Sequence, residues 1–237
     1  MNNEVSKFLE KLKEIIDRNR KFLYYTRGVK FQKDSAIELE TFMKKLVKLK
    51  EKMIRIKDEE SANILLSLEN LLTTYINEFK MLIFLKENEM HKAWESLIKA
   101  QNSLRNAFQA NDIVLNLNAK NYLQKLGVIE KLFFPPQTFV SIGATVENSK
   151  CSICNEEYGK CNHVKGKPYM GKLCCRIITK IKDTKEVSLV DSPGNKLCRV
   201  TSLLEKEGWR DLLTWRIAQK KTTSRKKIHT RQGMHTI

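Results

Sequence analysis

The sequence predicts an α+β protein, an N-terminal antiparallel helical bundle followed by a small metal-stapled β module with a C-terminal helix. Three observations predict it. Apolar residues recur at three- and four-residue spacing through roughly the first 130 positions, the period of an amphipathic helix. Pro135-Pro136 ends that pattern, and the β-branched runs beyond it have the composition of strands. Cys151, Cys154, Cys161 and His163 then fall within thirteen residues, spaced as metal ligands.

The first helix is predicted from about Val5 to Tyr25, with Val5, Phe8, Leu9, Leu12, Ile15, Ile16, Phe22 and Leu23 on its apolar face, before Arg27-Gly28 breaks it. Ser35 with Glu38 three residues on reads as a capping box that opens the second, which carries Leu39, Phe42, Leu46, Leu49 and Met53. Asp58 to Ser61 supply an acidic first turn for the third, which runs on through Ile83. The pattern pauses at Asn88, and a fourth helix passes through Trp94, Leu97, Leu104 and Phe108. Asp112 is the expected cap of a fifth, shorter helix ending at Gly127. Long helices joined by short turns pack antiparallel, because each apolar stripe then meets a partner.

Beyond the prolines, Thr138–Ile142 and Ala144–Val146 are strand segments. Leu173–Ile181 and Glu186–Val190 form two more, with Lys182-Asp183-Thr184-Lys185 as the hairpin turn between them. Asp191–Asn195 is a turn, and Leu197–Val200 reads as a short closing strand. Ser202 and Glu205 look like a second capping box, opening a helix through Leu203, Leu204, Trp209, Leu212, Leu213, Trp215 and Ile217. The expected organisation is a bundle over 1–134, a metal-binding β module plus helix over 137–219, and a basic flexible tail over 220–237.

The C-x2-C turn presents two thiolates from one knuckle, and Cys161 and His163 complete a tetrahedral shell of soft donors, the shell of a structural Zn²⁺. Catalytic zinc keeps an open position, which four clustered ligands do not leave. Gly159 lets the backbone turn between the two ligand pairs. Cys174, Cys175 and Cys198 are alternative or second-site ligands, with at least one of the adjacent pair a core residue. Asn162-His163 lies inside the knuckle, unlike the later Asn-His pair of His-Asn-His nucleases. The opening M-N-N-E-V-S-K lacks the order of a signal peptide, and no apolar run approaches a membrane span. Reduced thiols in a cytoplasmic protein, without a membrane partner, are the expectation.

A hydrophobic content of 41% and a charged content of 30% suit a folded chain, but the net charge of +17 draws polyanions. Residues 1–130 hold 23 Lys+Arg against 18 Asp+Glu, whereas residues 131–237 hold 21 against 9, so the electrostatic surplus belongs to the C-terminal half. Arg216, Lys220, Lys221, Arg225, Lys226, Lys227 and Arg231 follow one another with no carboxylate after Asp211, a segment able to track a phosphate backbone. Trp209 and Trp215 either stack on bases or pack their helix onto the β module, the second being preferred. Lys44, Lys45, Lys48, Lys50 and Lys52, partly offset by Glu38, Glu40 and Glu51, read as a solvated helix face.

The stretch S-I-G-A-T-V, then C-S-I-C-N-E-E-Y-G-K-C-N-H-V-K-G-K-P-Y-M-G-K, then K-E-V-S-L-V-D-S-P-G-N, over about residues 139–200, resembles the C-terminal half of the prohead maturation proteases of tailed phages. The resemblance implies a serine nucleophile at Ser141 and a phage, mobile-element or antiviral-defence setting. That family's N-terminal half supplies the strand with the catalytic histidine, whereas here the region is helical and its sole histidine is His91. A serine without a positioned base is a poor nucleophile. The reading is therefore a non-enzymatic zinc-binding accessory protein, which binds DNA or RNA through a basic C-terminal surface and docks or self-associates through its bundle. The alternatives are a prohead-type serine protease or inactive capsid-assembly relative, and a purely protein-binding subunit.

Overall fold

The computed structural model describes residues 2–117 and 119–219. They divide into two compact units: the described residues up to Phe133 together with Asn162–Cys175, and Phe134–Cys161 together with the described residues from Arg176 onward.

The first unit contains the expected bundle, α1 Asn3–Arg20, α2 Val29–Arg55, α3 Glu59–Lys86, α4 Met90–Ala110, a short 3-10 helix Asp112–Leu117 and α5 Ala119–Phe133, together with the segment Asn162–Cys175 that the sequence expectation gave to the β module. Two of these helices, α1 and α3, start at a side-chain cap. The Asn2 side chain accepts from the Glu4 N–H at 2.9 Å, and Asp58 accepts from the Ser61 N–H at 3.1 Å. α3 is the axis, burying Leu65, Leu68, Leu72, Ile76, Phe79 and Ile83 between α2 and α4. Trp94, only 2% exposed, fills the space from α4. Ser67 Oγ donates to the Ala107 carbonyl at 2.7 Å, and so short a side chain lets α3 and α4 approach closely.

Four boundaries differ from the sequence expectation. α1 stops at Arg20 instead of Tyr25, and α2 starts at Val29 instead of Ser35. One side chain accounts for both. Gln32, fully buried, donates through Nε2 to the carbonyls of Phe22 at 3.1 Å and Tyr24 at 3.0 Å, which closes the α1–α2 turn. Glu38, the expected capping partner of Ser35, instead accepts from Arg18 and from Asn19 Nδ2 across to α1. The last helix begins at Ala119 and runs through Gly127 to Phe133. Its start is delayed because the Asn111 side chain accepts the Ile113 N–H at 2.9 Å and winds a 3-10 turn first. Gly127 is an ordinary helical position with open space where a Cβ would lie, and it does not stop the helix.

Within the bundle Glu78 is completely buried on α3, where it accepts from the Tyr122 hydroxyl and from Lys125 Nζ at 2.7 Å, both on α5. Burial, and then the charge of Glu78, push the Tyr122 phenol well above its ordinary value. Burial likewise raises Tyr75, packed against Tyr122, to about 12.

In the second unit β1 (Phe139–Cys151) pairs antiparallel with one long strand that spans Arg176–Val190. The expected turn at Lys182–Lys185 is therefore absent. Asp183 faces Thr145 and Thr184 faces Ala144, and the surplus residues are taken up as register shifts between Gly143 and Ser149. Leu197–Val200 forms no strand, though Val140 N–H donates to the Cys198 carbonyl and Val200 N–H to the Thr138 carbonyl, each at 2.9 Å. Numbered in chain order, with β2 (Pro168–Tyr169) and β3 (Lys172–Leu173) in the first unit, the long strand is β4.

The expected C-terminal helix is a three-stranded antiparallel sheet: β5 Ser202–Leu204, β6 Gly208–Asp211 and β7 Ile217–Gln219. Glu205 does not cap a helix; it holds the Arg210 guanidinium by two bonds, Nε–Oε1 at 2.5 Å and Nη2–Oε2 at 2.8 Å. Gly208 has φ +149°, and a Cβ there would collide with the Ala218 carbonyl oxygen, so β6 and β7 pair only around a glycine. Leu203, Leu204, Trp209 and Trp215 are exposed. The residues spaced like a helical stripe thus bury no stripe.

Replacing Glu78 by Ala leaves the Tyr122 hydroxyl buried without its acceptor, and about 3 kcal/mol of stability should be lost. Denaturant melts followed by far-UV circular dichroism measure it. The pair Glu78→Leu with Tyr122→Phe, which removes both polar partners, should recover most of that loss.

Candidate metal centre

β1 carries the chain to Cys151, and a tight reversal follows. The Asn155 N–H donates to the Cys151 carbonyl at 2.9 Å, and the Cys151 N–H donates to the Glu156 carbonyl at 2.8 Å. Tyr158 N–H returns to the Ser149 carbonyl at 2.9 Å, so residues 149–158 form a small hairpin with the C-x2-C pair in its turn. Asn155 closes this turn at φ +61°, a left-handed conformation that Asn tolerates better than most residues. The Ile153 N–H points at Cys151 Sγ at 3.4 Å, a donor that favours the thiolate. On the ribbon beside it, Arg176 Nε donates to Ser149 Oγ at 2.9 Å and its guanidinium lies 5.8 Å from the centre of the Tyr158 ring.

A second turn, with Lys160 N–H on the Glu157 carbonyl at 3.0 Å and Gly159 at φ +102°, delivers Cys161 and then His163. The His163 ring stands edge-on to Tyr169 with centroids 4.6 Å apart, and Val164 N–H donates to the Tyr169 hydroxyl at 3.0 Å. Tyr169 belongs to the β2–β3 hairpin, whose turn has Met170 at φ +44° and Gly171 at φ +71°. That turn is seated on the bundle: Gly171 N–H donates to Asn63 Oδ1 at 2.8 Å and Met170 N–H to Glu59 Oε1 at 3.2 Å. A Cβ at Gly171 would press on Ile54, Lys50 and the Ala62 carbonyl, which is why the turn carries glycine there.

The outcome is that one ligand atom from each of Cys151, Cys154, Cys161 and His163 lies within 4.8 Å of all the others. A tetrahedral ion with bonds of about 2.3 Å to sulfur separates its ligands by about 3.8 Å, so the four residues close on an ion with small side-chain movements. Two features fit a metal. His163 Nδ1 is buried without a hydrogen-bond partner, and all six cysteines are free thiols. The Cys154 thiol stands above its ordinary value. The Glu156 backbone hydrogen bond lowers it, but desolvation and the neighbouring Cys161 and Cys151 outweigh that. Crowded thiols resist joint ionisation, and a bound cation reverses the preference.

The group does not include the alternative ligands. Cys174 is buried with its backbone paired to Gly166 and Lys167, Cys175 Sγ faces the Leu173 carbonyl at 3.7 Å, and Cys198 is exposed. Ser141 is exposed on β1 directly opposite Ser188, in a unit whose described residues include no histidine. Arg216 is exposed immediately before β7, its carbonyl accepting the Asp211 N–H at 2.9 Å. Lys220, Lys221, Arg225, Lys226, Lys227 and Arg231, and with them the expected tail, lie outside the described residues. Trp209 and Trp215 are 49% and 59% exposed, which overturns the expectation that they pack a helix. Asn155 and Tyr169 escaped the sequence reading. The left-handed demand of a knuckle turn signals the first, whereas the second is brought to His163 by the hairpin. No helix is long and apolar enough to cross a membrane among the described residues. No family model, curated protein or solved structure matches this chain.

Elemental analysis should find one metal ion per chain, lost in Cys154→Ser. Asn155→Gly should retain it, and Asn155→Val, forced into the left-handed region, should bind about tenfold more weakly. Equal metal content in all four proteins would remove the site.

Proposed function

We propose that this protein is a non-enzymatic accessory factor in which Cys151, Cys154, Cys161 and His163 hold a structural Zn²⁺ and a basic C-terminal surface engages nucleic acid. The observation that carries it is the convergence of three thiols and one imidazole within 4.8 Å, a donor set that suits tetrahedral zinc and fills its shell. Hard cations such as Mg²⁺ and Ca²⁺ prefer oxygen ligands, which the group lacks.

The nucleic-acid reading is supported by the distribution of charge and by the aromatic residues beside it. Residues 131–237 carry 21 Lys+Arg against 9 Asp+Glu. Trp209 and Trp215 are exposed, and the Arg210 guanidinium lies 6.0 Å from the centre of the Trp215 ring, flat surfaces on which bases stack. Arg216 and the run from Lys220 to Arg231 would add phosphate contacts with little base readout. The bundle would dock on a protein partner or a second copy. Resemblance of residues 139–200 to prohead proteases favours a phage or mobile-element setting.

The test is a salt titration of oligonucleotide binding. Log affinity should fall linearly with log salt, and replacing Lys220, Lys221, Arg225, Lys226, Lys227 and Arg231 by Gln should flatten the slope by roughly 4, at about 0.7 per lost single-strand phosphate contact. A slope indifferent to that replacement would count against the basic surface. An active-serine probe should leave the protein unlabelled; labelling that disappears in Ser141→Ala would favour the protease alternative.

A further inference from the structure

Lys44, Lys45, Lys48 and Lys52 of α2 are exposed, as expected of a solvated face, whereas Lys50 is half-buried. α1 and α2 run antiparallel, Glu4 pairing with Lys52 at 2.6 Å near one end and Arg18 with Glu38 near the other. Between them lies an open cleft of about 490 Å³, within the range of ligand-binding sites. Lys7 and Lys11 line it from α1, and Lys45, Lys48 and Lys52 from α2. Phe8 and Leu49 supply its apolar surface. The spacing is regular on both helices: Lys7 and Lys11 are one turn apart, and Lys45, Lys48 and Lys52 lie along one stripe. Glu4 is the one carboxylate in the lining, and it is taken by Lys52. Among the described residues Lys7, Lys11, Lys45 and Lys48 have no ion-pair partner. By contrast Lys50, on the other side of the same helix, pairs with Glu69 of α3.

Like charges one turn apart on a helix repel, and two such stripes facing each other repel again. The cleft therefore holds four uncompensated ammonium groups around an aromatic ring. Phe8 is half-buried and packs its ring against Phe42 at 4.5 Å, which orients it while leaving part of it open. Lysine rims that follow a backbone, with an aromatic platform between them, are the elements of single-strand recognition.

We propose that the α1–α2 cleft is a second nucleic-acid site, in which Lys7, Lys11, Lys45 and Lys48 contact successive phosphates of a single strand and Phe8 meets a base. It deepens the nucleic-acid reading above and rests on that class of partner. A half-buried ring stacks on an unpaired base and not on one held inside a duplex, so the strand is single. An acidic protein segment would satisfy the charge but would make no use of the ring.

The test is carried out on the full-length chain with a labelled oligothymidylate of about 16 nucleotides, the upper end of common single-strand site sizes. The variant Lys7→Gln, Lys11→Gln, Lys45→Gln and Lys48→Gln should bind at least about tenfold more weakly at low salt, and its log–log salt slope should shrink by roughly 3. Its thermal midpoint at low ionic strength should equal or exceed the wild type's, since repulsion has been removed. The half-variants, Lys7→Gln with Lys11→Gln and Lys45→Gln with Lys48→Gln, should each remove about half of the slope change. Phe8→Leu, which keeps the apolar volume, should weaken the oligonucleotide severalfold.

A quadruple variant with wild-type affinity and slope overturns the cleft while leaving the C-terminal surface standing. Binding that survives neutralisation of Lys220 to Arg231 but is lost with the four bundle lysines overturns the C-terminal reading and upholds the cleft. A wild-type chain that binds no oligonucleotide overturns both. Oligoglutamate of equal charge binding as tightly as the oligonucleotide, or a Phe8→Leu variant without effect, overturns the single-strand assignment.

Discussion

The β-rich unit has almost no hydrophobic core, and its architecture turns on that lack. Among its described residues the buried apolar side chains are Phe134, Phe139, Cys151 and Leu213. β4 is exposed along nearly its whole length, and Ile142, Val187 and Leu189 face solvent on the ribbon. A two-stranded ribbon of this kind is marginal in water. Small folds in this position rely on a metal or disulfides for stability, and here every cysteine is a free thiol. The unit's own thiols Cys151, Cys154 and Cys161 lie where such a fold needs a cross-link, at the end of β1 and in the turns beyond it.

The bundle is under the opposite constraint. α3 is buried on nearly every side, so its buried polar groups seek partners inside the protein, and three of them find one, whereas Ser61 Oγ does not. Glu78 accepts from Tyr122 and Lys125, Ser67 donates to α4, and Thr74 donates to the Asn70 carbonyl of its own helix and to the Ala100 carbonyl of α4. The pair of helices α1 and α2 is built differently. There the chain keeps a row of unpaired lysines on each side of one cleft. Such an arrangement weakens the isolated bundle slightly and suits an anionic partner.

The β2–β3 hairpin illustrates how local backbone demands shape the surroundings of a site. Only a turn with two left-handed residues brings Tyr169 back against Lys172, and only glycine at position 171 lets the turn sit against Ala62 and Ile54. Through Tyr169 this turn backs the His163 ring, and its amides are held by Asn63 and Glu59 on α3. The imidazole is therefore oriented by aromatic packing, with its buried Nδ1 left without a protein partner.

Long-period patterns were legible from the amino-acid order alone. Helical periodicity identified the bundle, the proline pair marked its end, and cysteine and histidine spacing picked out the group that could hold a metal, because each is a repeat or cluster within a few turns of chain. Short signals misled where a side chain had a better partner elsewhere. Glu38 turned to Arg18 and Asn19, Glu205 turned to Arg210, and Gly208 adopted a conformation closed to helices. Lys182–Lys185 has the composition of a turn, yet pairing with β1 keeps it extended. The order of residues by itself determined the helices of the bundle, their end at the proline pair and the clustering of the four candidate ligands. Only the tertiary structure decided that the last apolar stretch is a sheet and that lysines from two helices face one cleft, because both depend on contacts between residues far apart in the chain.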